Sequence, residues 1–187
     1  MTNSIRQQYR ARRRGLQGIE RTRAEHAICQ RIEHICKGSD QVAAYSAFDG
    51  EPDLTTWVSS FPGALALPVI GEEAGIMSFH LSPSGAAQIE NHLGIAEPEP
   101  HRTLIAPEAF TIMLIPLVAF DSSGTRLGMG AGYYDRYLAL APQARRIGVA
   151  FDLQRSEHLL PRQPWDQPLH QVVTETRTID FLGDQNT

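Results

Sequence analysis

The chain has 187 residues, 42% of them hydrophobic and 20% charged, with a formal net charge of −4. That length supports one domain around a proper core, so residues 1–187 are expected to form a single domain. The mild acidity gives no global case for nucleic-acid or membrane binding, and no apolar run approaches the length of a membrane span. Cys29 and Cys36 fall on one predicted helix about 10 Å apart along its axis, too far to pair. Two free thiols and the lack of a hydrophobic signal core predict a cytoplasmic protein.

Ser4 to Arg14 carries Arg6, Arg10, Arg12, Arg13 and Arg14, and breaks at Gly15-Leu16-Gln17-Gly18. Such a run is ordinarily a solvated helix face, with one or two arginines left to meet a bound polyanion. Sixteen of the seventeen basic residues are arginine, so a cationic phosphate contact here is a forked one. Ile19 to Cys36 reads as a helix with the stripe Ile28, Ile32, Ile35. Gln41 to Tyr45 reads as a short strand, with Ser46 to Glu51 at its carboxyl edge, where parallel α/β sheets collect ligands. Asp53 is placed to cap a helix over Leu54 to Ser60.

Ala64 to Ile70 is a strand interrupted by Pro68, and Gly75 to Leu81 a second one with Met77 and Phe79 on a core face. Together they predict a side hairpin. Pro83 to Gly94 is expected to be a short helix or loop, and the prolines at 98, 100 and 107 make Ile95 to Pro107 an extended crossing segment. Ile112 to Phe120 reads as a strand buried on both faces. Arg145 to Phe151 is a strand with Ile147, Val149 and Phe151 aligned. A short helix over Asp152 to Leu160, a rigid loop from Pro161 to Pro168 and a final strand from Gln171 to Ile179 complete the chain, with fraying expected from Gly183 to Thr187. This order predicts an α/β fold, a three-layer α/β/α domain with a mostly parallel sheet.

Between the buried strand and Tyr133 lie Asp121-Ser122-Ser123-Gly124, a turn, then Arg126 and glycines at 128, 130 and 132. Tyr133, Tyr134, Tyr137, Leu138 and Ala141 then mark one face of a helix that stops at Pro142. Strand, glycine loop and helix start together suit an anion site, since glycine admits close approach and the first-turn N–H groups point outward; the alternative is a glycine-rich turn that only packs a helix on the sheet. The dinucleotide fingerprint fails because Tyr133 stands where its third glycine belongs, and a Walker loop fails because Lys37 is the only lysine. Arg126 and Asp135 beside the loop suit phosphate plus a divalent cation. The histidines lack zinc-site spacing, and no Gly-x-Ser-x-Gly elbow announces a nucleophile. Catalysis here would rest on positioning and electrostatics.

The run Arg126-Leu127-Gly128-Met129-Gly130-Ala131-Gly132-Tyr133-Tyr134-Asp135, preceded by Pro116 to Asp121, resembles the signature of the 5-formyltetrahydrofolate cyclo-ligase family. The resemblance extends to Tyr45-Ser46-Ala47-Phe48-Asp49-Gly50-Glu51, Trp165-Asp166 and Val172-Val173-Thr174. It implies a sheet of the sugar-phosphate isomerase and CoA-transferase type. It also implies an ATP- and Mg2+-dependent ring closure of 5-formyltetrahydrofolate, through a phosphorylated formyl group, to 5,10-methenyltetrahydrofolate. By motif, Arg6 and Arg126, Leu127, Gly128, Met129, Gly130, Ala131, Gly132, Tyr133 and Tyr134 correspond to the ATP site, with Arg126 as the catalytic clamp. Ser46, Glu51 and Met129 to Tyr133 correspond to the folate site, and Asp135 and Asp166 to the magnesium carboxylates. The implied partner is a small folate, with or without a polyglutamate tail; neither nucleic acid nor membrane is implied, and a monomer is expected. Ala131 and Thr2 stand where family members often carry lysines, for which a neighbour such as Arg10 is the expected substitute. The alternatives are a kinase or acyl-activating enzyme on another substrate, and a folate binder without turnover.

Overall fold

The computed structural model describes residues 2–71, 73, 75–83, 86–99 and 101–181; the fraying expected over 183–187 lies outside them. The helices α1 (Thr2–Gly15) and α2 (Gly18–Cys36) open the chain, followed by β1 (Gln41–Ala43), α3 (Thr55–Ser60), β2 (Ala64–Ile70) and β3 (Met77–Leu81). Next come β4 (Gln88–Glu90), β5 (Ala96–Pro98), β6 (Leu104–Ile105) and β7 (Ile112–Pro116). Then follow β8 (Ala119–Phe120), β9 (Arg126–Leu127), α4 (Tyr133–Leu140), β10 (Arg145–Val149), β11 (Gln171–Val173) and β12 (Thr178–Asp180).

Among the described residues the main sheet has eight strands in the order β12-β11-β10-β7-β1-β2-β3-β6. From β11 to β2 all neighbours are parallel, and β12, β3 and β6 add antiparallel edges. The chain lays β2 on one side of β1, then places β7, β10 and β11 on the other. The direction of winding therefore reverses between β1 and β7, which opens a crevice beyond their carboxyl ends.

Period-2 alternation sorts the strand side chains onto two faces. Val42, Leu65, Leu114, Ile147, Val149 and Val173 pack against Ile28 and Ile32 of α2 and Trp57 of α3. Ala43, Ala66, Met113, Ile115 and Val172 pack on the opposite face against Tyr137, Leu138 and Ala141. The result is the expected three-layer α/β/α arrangement. Helix α1 lies elsewhere: Ile5 and Tyr9 join Val118, Ala119, Leu127 and Leu160 in a small third cluster over the β8–β9 hairpin. No helix among the described residues is long and apolar enough to cross a membrane.

Several local expectations are corrected. The apolar run Ile112 to Phe120 is not one strand: it leaves the sheet at Pro116, and Ala119 and Phe120 pair with Leu127 and Arg126. Asp121 drives this hairpin. Its buried Oδ1 accepts the N–H groups of Ser123 (2.8 Å) and Thr125 (3.2 Å), while Oδ2 accepts that of Leu160 (2.7 Å). Asp121→Ala would strand these donors, and we expect a loss of about 2–4 kcal/mol in urea-denaturation stability.

Pro68 does not break β2, because β1 pairs only as far as Ala66. The N–H of Ile70, two residues on and pointing to the same side, goes to Glu97 Oε1 (2.9 Å), so no ladder donor is needed from Pro68. The β2–β3 hairpin forms as expected, inside the main sheet. Within Pro83 to Gly94 the ordered element is β4, paired with β5, and not a helix. Asp152 to Leu160 holds only a single 3-10 turn, Asp152–Gln154. Gln171 to Ile179 is a hairpin, β11–β12, because Thr174 Oγ1 accepts the N–H groups of Thr176 and Arg177 and turns the chain.

Candidate functional site

The loop leaving β1 at the crevice is a tight turn, Phe48 to Glu51. Its central residues Asp49 (φ 54°) and Gly50 (φ 81°) are both left-handed, and Glu51 N–H donates to Phe48 O at 3.0 Å. Aspartate tolerates that region better than most residues, and α1 holds it there. Arg10 forks onto Asp49 (2.7 and 3.1 Å), Arg13 Nη2 donates to its Oδ2 (2.9 Å), and Arg14 pairs with it too. Arg21, from α2, donates to the carbonyls of Gly50 (3.3 Å) and Glu51 (2.7 Å).

The solvated-face reading of the arginine run therefore holds for Arg12, which is exposed and lies over the Tyr9 ring, but fails for Arg13. Arg13 is 0% exposed. Its Nε donates to Asp49 O (2.9 Å) and its Nη1 to Leu117 O (2.9 Å), just beyond β7. One guanidinium thus spans both loops of the crevice.

The turn presents Glu51 to a cleft of about 410 Å³ whose walls include Tyr45, Ser46, Phe48, Val58 and Leu67. Glu51 Oε2 accepts Phe48 N–H (3.1 Å), and Arg13 Nη2 stands 3.7 Å from Oε1. Burial nevertheless pushes the carboxyl up to about 7, against the downward pull of Arg13 and of that N–H. Ser46 Oγ and Tyr134 OH are buried without a hydrogen-bond partner among the described residues. Burial raises the Tyr134 phenol, the Glu51 charge adds to this, and Arg126 opposes it. The start of α4 therefore reaches the same electrostatic neighbourhood as Glu51.

The β8–β9 hairpin carries Arg126 into the interior, 8% exposed. Its Nη2 donates to Asp135 Oδ1 (2.8 Å) and its Nη1 to Gln167 O (2.9 Å), while Gln167 N–H also reaches Asp135 Oδ1 (3.3 Å). Asp135 thus pairs with Arg126, whereas Arg136 donates to the carbonyls of Gly75 (2.9 Å) and Ala131. Leu127 is buried, and Met129, Gly130 and Ala131 are exposed, with Gly128, Gly132, Tyr133 and Tyr134 between these extremes. Arg6 Nε donates to Gly128 O (2.9 Å), and its guanidinium lies against Gly130. Gly132 (φ 72°) is the N-cap of α4 and brings no side-chain cap, so no capping side chain occupies that helix start.

Arg10 forks onto Asp49, and the guanidiniums that lie against the loop around Ala131 are those of Arg6 and Arg136. Asp166 is half-buried and caps its own turn by accepting Gln163 N–H (2.7 Å). No group of three or more His, Cys, Asp or Glu among the described residues could hold a metal ion. Mg2+ commonly takes one or two carboxylates and completes its shell with phosphate and water. Asp135 and Asp166 could offer one or two carboxylates to an ion that arrives with phosphate, and they do not form a self-sufficient protein cage.

Residues 1–175 match the model of the 5-formyltetrahydrofolate cyclo-ligase family. The chain belongs to that family. It is 30% identical over 179 residues to the 5-formyltetrahydrofolate cyclo-ligase of Haemophilus influenzae, spanning 90% of this chain and 95% of that protein. Identity to the Escherichia coli 5-formyltetrahydrofolate cyclo-ligase is 36% over 147 residues, 75% of this chain and 80% of that one. The NMR structure of Aquifex aeolicus 5,10-methenyltetrahydrofolate synthetase superposes with a TM-score of 0.86 at 31% identity, over 100% of this chain and 95% of that one. The Mycoplasma pneumoniae 5,10-methenyltetrahydrofolate synthetase, 24% identical with a TM-score of 0.75 over 93% and 98% of the two chains, shares the fold.

For this member of the cyclo-ligase family, residue patterns pointed to Ser46, the Asp49–Glu51 loop, Arg126 and the glycine loop but did not single out Arg13 or Arg21. One signal was available. Arg6, Arg10 and Arg13 are spaced i, i+4, i+7, a single helical stripe next to Ile5 and Tyr9.

Proposed function

We infer that this chain closes 5-formyltetrahydrofolate to 5,10-methenyltetrahydrofolate while converting ATP to ADP and phosphate. The observation that carries the reading is a juxtaposition at one sheet switch point. The buried carboxyl of Glu51 and Met129 of the glycine loop lie 3.7 and 3.8 Å from the same guanidinium nitrogen, Arg13 Nη2, and that loop opens a helix beside the buried Arg126. Family membership supplies the reaction, and this arrangement supplies its two halves.

The pterin edge offers an N–H and amino pair that Glu51 accepts, and the unpartnered Ser46 hydroxyl adds a further polar contact. Met129 to Tyr133 border both the folate and the nucleotide. Arg6 and the segment Arg126 to Tyr134 take the ATP phosphates, with Arg136 supplying charge where Ala131 has none. The formyl oxygen attacks the γ-phosphorus while the bond to the β,γ-bridging oxygen breaks and ADP leaves, and Arg126 stabilises the charge that develops. N10 then attacks the activated carbon, phosphate departs and the N10 proton goes to solvent. Asp135 and Asp166 would hold the magnesium that arrives with the nucleotide, and the ion would there neutralise phosphate charge. No protein nucleophile is required. We propose that the chain acts as a cytoplasmic monomer on free or polyglutamylated substrate.

The test is the absorbance of the methenyl product with purified protein, 5-formyltetrahydrofolate and Mg2+, with and without ATP. A rise only with ATP is the expected result. Folate binding without any rise would instead indicate a sequestering binder, and the absence of both binding and rise would overturn the reading altogether.

A further inference from the structure

We propose that Arg13 is a positioning residue for this reaction, holding the folate carboxylate Glu51 in register with the glycine loop through the Phe48–Glu51 turn. The proposal rests on the cyclo-ligase reading above. Arg13 is fully buried, and its fork makes three directed hydrogen bonds: to Asp49 O, Asp49 Oδ2 and Leu117 O, each at 2.9 Å. The same Nη2 stands 3.7 Å from Glu51 Oε1 and 3.8 Å from Met129 Sδ. Its contacts therefore reach the segments that follow β1, β7 and β9.

A residue needed merely to dock α1 would do so more cheaply with an apolar side chain, since burying a guanidinium carries a large desolvation cost. Docking is also served by Ile5 and Tyr9 in the cluster over the β8–β9 hairpin. What an apolar residue cannot do is fix two loop carbonyls with a rigid planar fork while opposing the buried charge of Glu51. The groups facing Glu51 are Arg13 from α1, Arg21 from α2 on its carbonyl, Tyr45 beyond β1 and Tyr134 from α4, and Arg13 is the cation nearest the carboxylate. Two contributions follow, and they separate by substitution. The fork sets where the turn sits, and the charge sets how readily Glu51 ionises.

Steady-state kinetics of Arg13→Lys and Arg13→Gln, with each substrate varied in turn and across pH, distinguishes them. Both variants lose the fork, so the folate KM is expected to rise about tenfold or more, the equivalent of one charge-assisted bond, with a smaller change in the ATP KM. In Arg13→Gln the acidic limb of kcat/KM for folate is also expected to move to higher pH, because Glu51 has lost its cation. Arg13→Lys is expected to restore that limb without restoring KM. A docking role alone would lower thermal stability and leave the KM split and the pH limb unmoved, which would overturn the proposal. If Arg13→Gln does not fold, Arg13→Lys and Asp49→Asn still read the KM split, and an unchanged folate KM in both is equally decisive against it. A wild-type protein without ATP-dependent product formation would sink the reaction reading itself. Normal wild-type turnover with unaffected Arg13 variants would sink only the role of Arg13.

Discussion

Arg126→Ala is expected to lower kcat by about 10²- to 10³-fold, the scale lost when a buried donor aimed at transition-state charge is removed. Arg126 is held for such a task. Two of its five N–H donors are committed to Asp135 and Gln167 O, which fixes the plane of the fork. Its 8% exposure places the remaining charge where water screens it poorly. The folate KM should change little, because Glu51 and Ser46 lie on the other loop of the crevice. Arg126→Lys should recover only part of the rate, since a point charge cannot keep both anchors and reach the phosphoryl group. Rates of ATP-dependent methenyl formation, with a thermal melt to establish folding, check this. Near-normal turnover in Arg126→Ala would remove the clamp from the mechanism.

Glu51→Gln is expected to weaken folate binding by about 10²-fold, since it replaces a charged acceptor of two N–H donors with an amide that has one acceptor oxygen. The same substitution should stabilise the free protein at alkaline pH. Burial raises the Glu51 carboxyl from 4.5 to about 7. Above that value it is ionised in both the folded and the unfolded chain, and the folded state bears the desolvation cost. Below 4.5 it is neutral in both, and the cost is absent. Between these limits the folded state holds the extra proton, so wild-type stability falls as pH rises from about 4.5 to 7. Glutamine is neutral throughout. The variant should therefore melt several degrees above wild type at pH 8 and close to it at pH 5. Calorimetric titration of folate and melts at both values check the two halves. Unchanged folate affinity would take Glu51 out of the binding site, whatever the melts show.

The alternation of Val42 and Leu114 against Ala43 and Met113, the stripe of Ile28 and Ile32, and the glycines ending at Gly132 are local patterns. Periodicity reads such patterns because each side chain's face follows from its position in one element. They were enough for the three-layer α/β/α fold and, through Arg126 to Asp135, the family. Pairings between separated segments have no such local mark. That β4 meets β5, that Phe120 turns back onto Arg126, and that Pro68 sits where no donor is needed depend on which strand lies alongside.

Arg13 is the sharpest case. Its neighbours Arg12 and Arg14 are exposed, so the run reads as solvent-facing by composition. Only the reversal of the sheet between β1 and β7 brings Asp49 O and Leu117 O, 68 residues apart in sequence numbering (117 − 49), within reach of one buried fork. The sequence by itself determined the chemistry available to this protein: a carboxylate, an arginine and a glycine loop of a known family. The tertiary structure alone decided which groups meet, because burial and long-range pairing set both the partners of Arg13 and the proton affinity of Glu51.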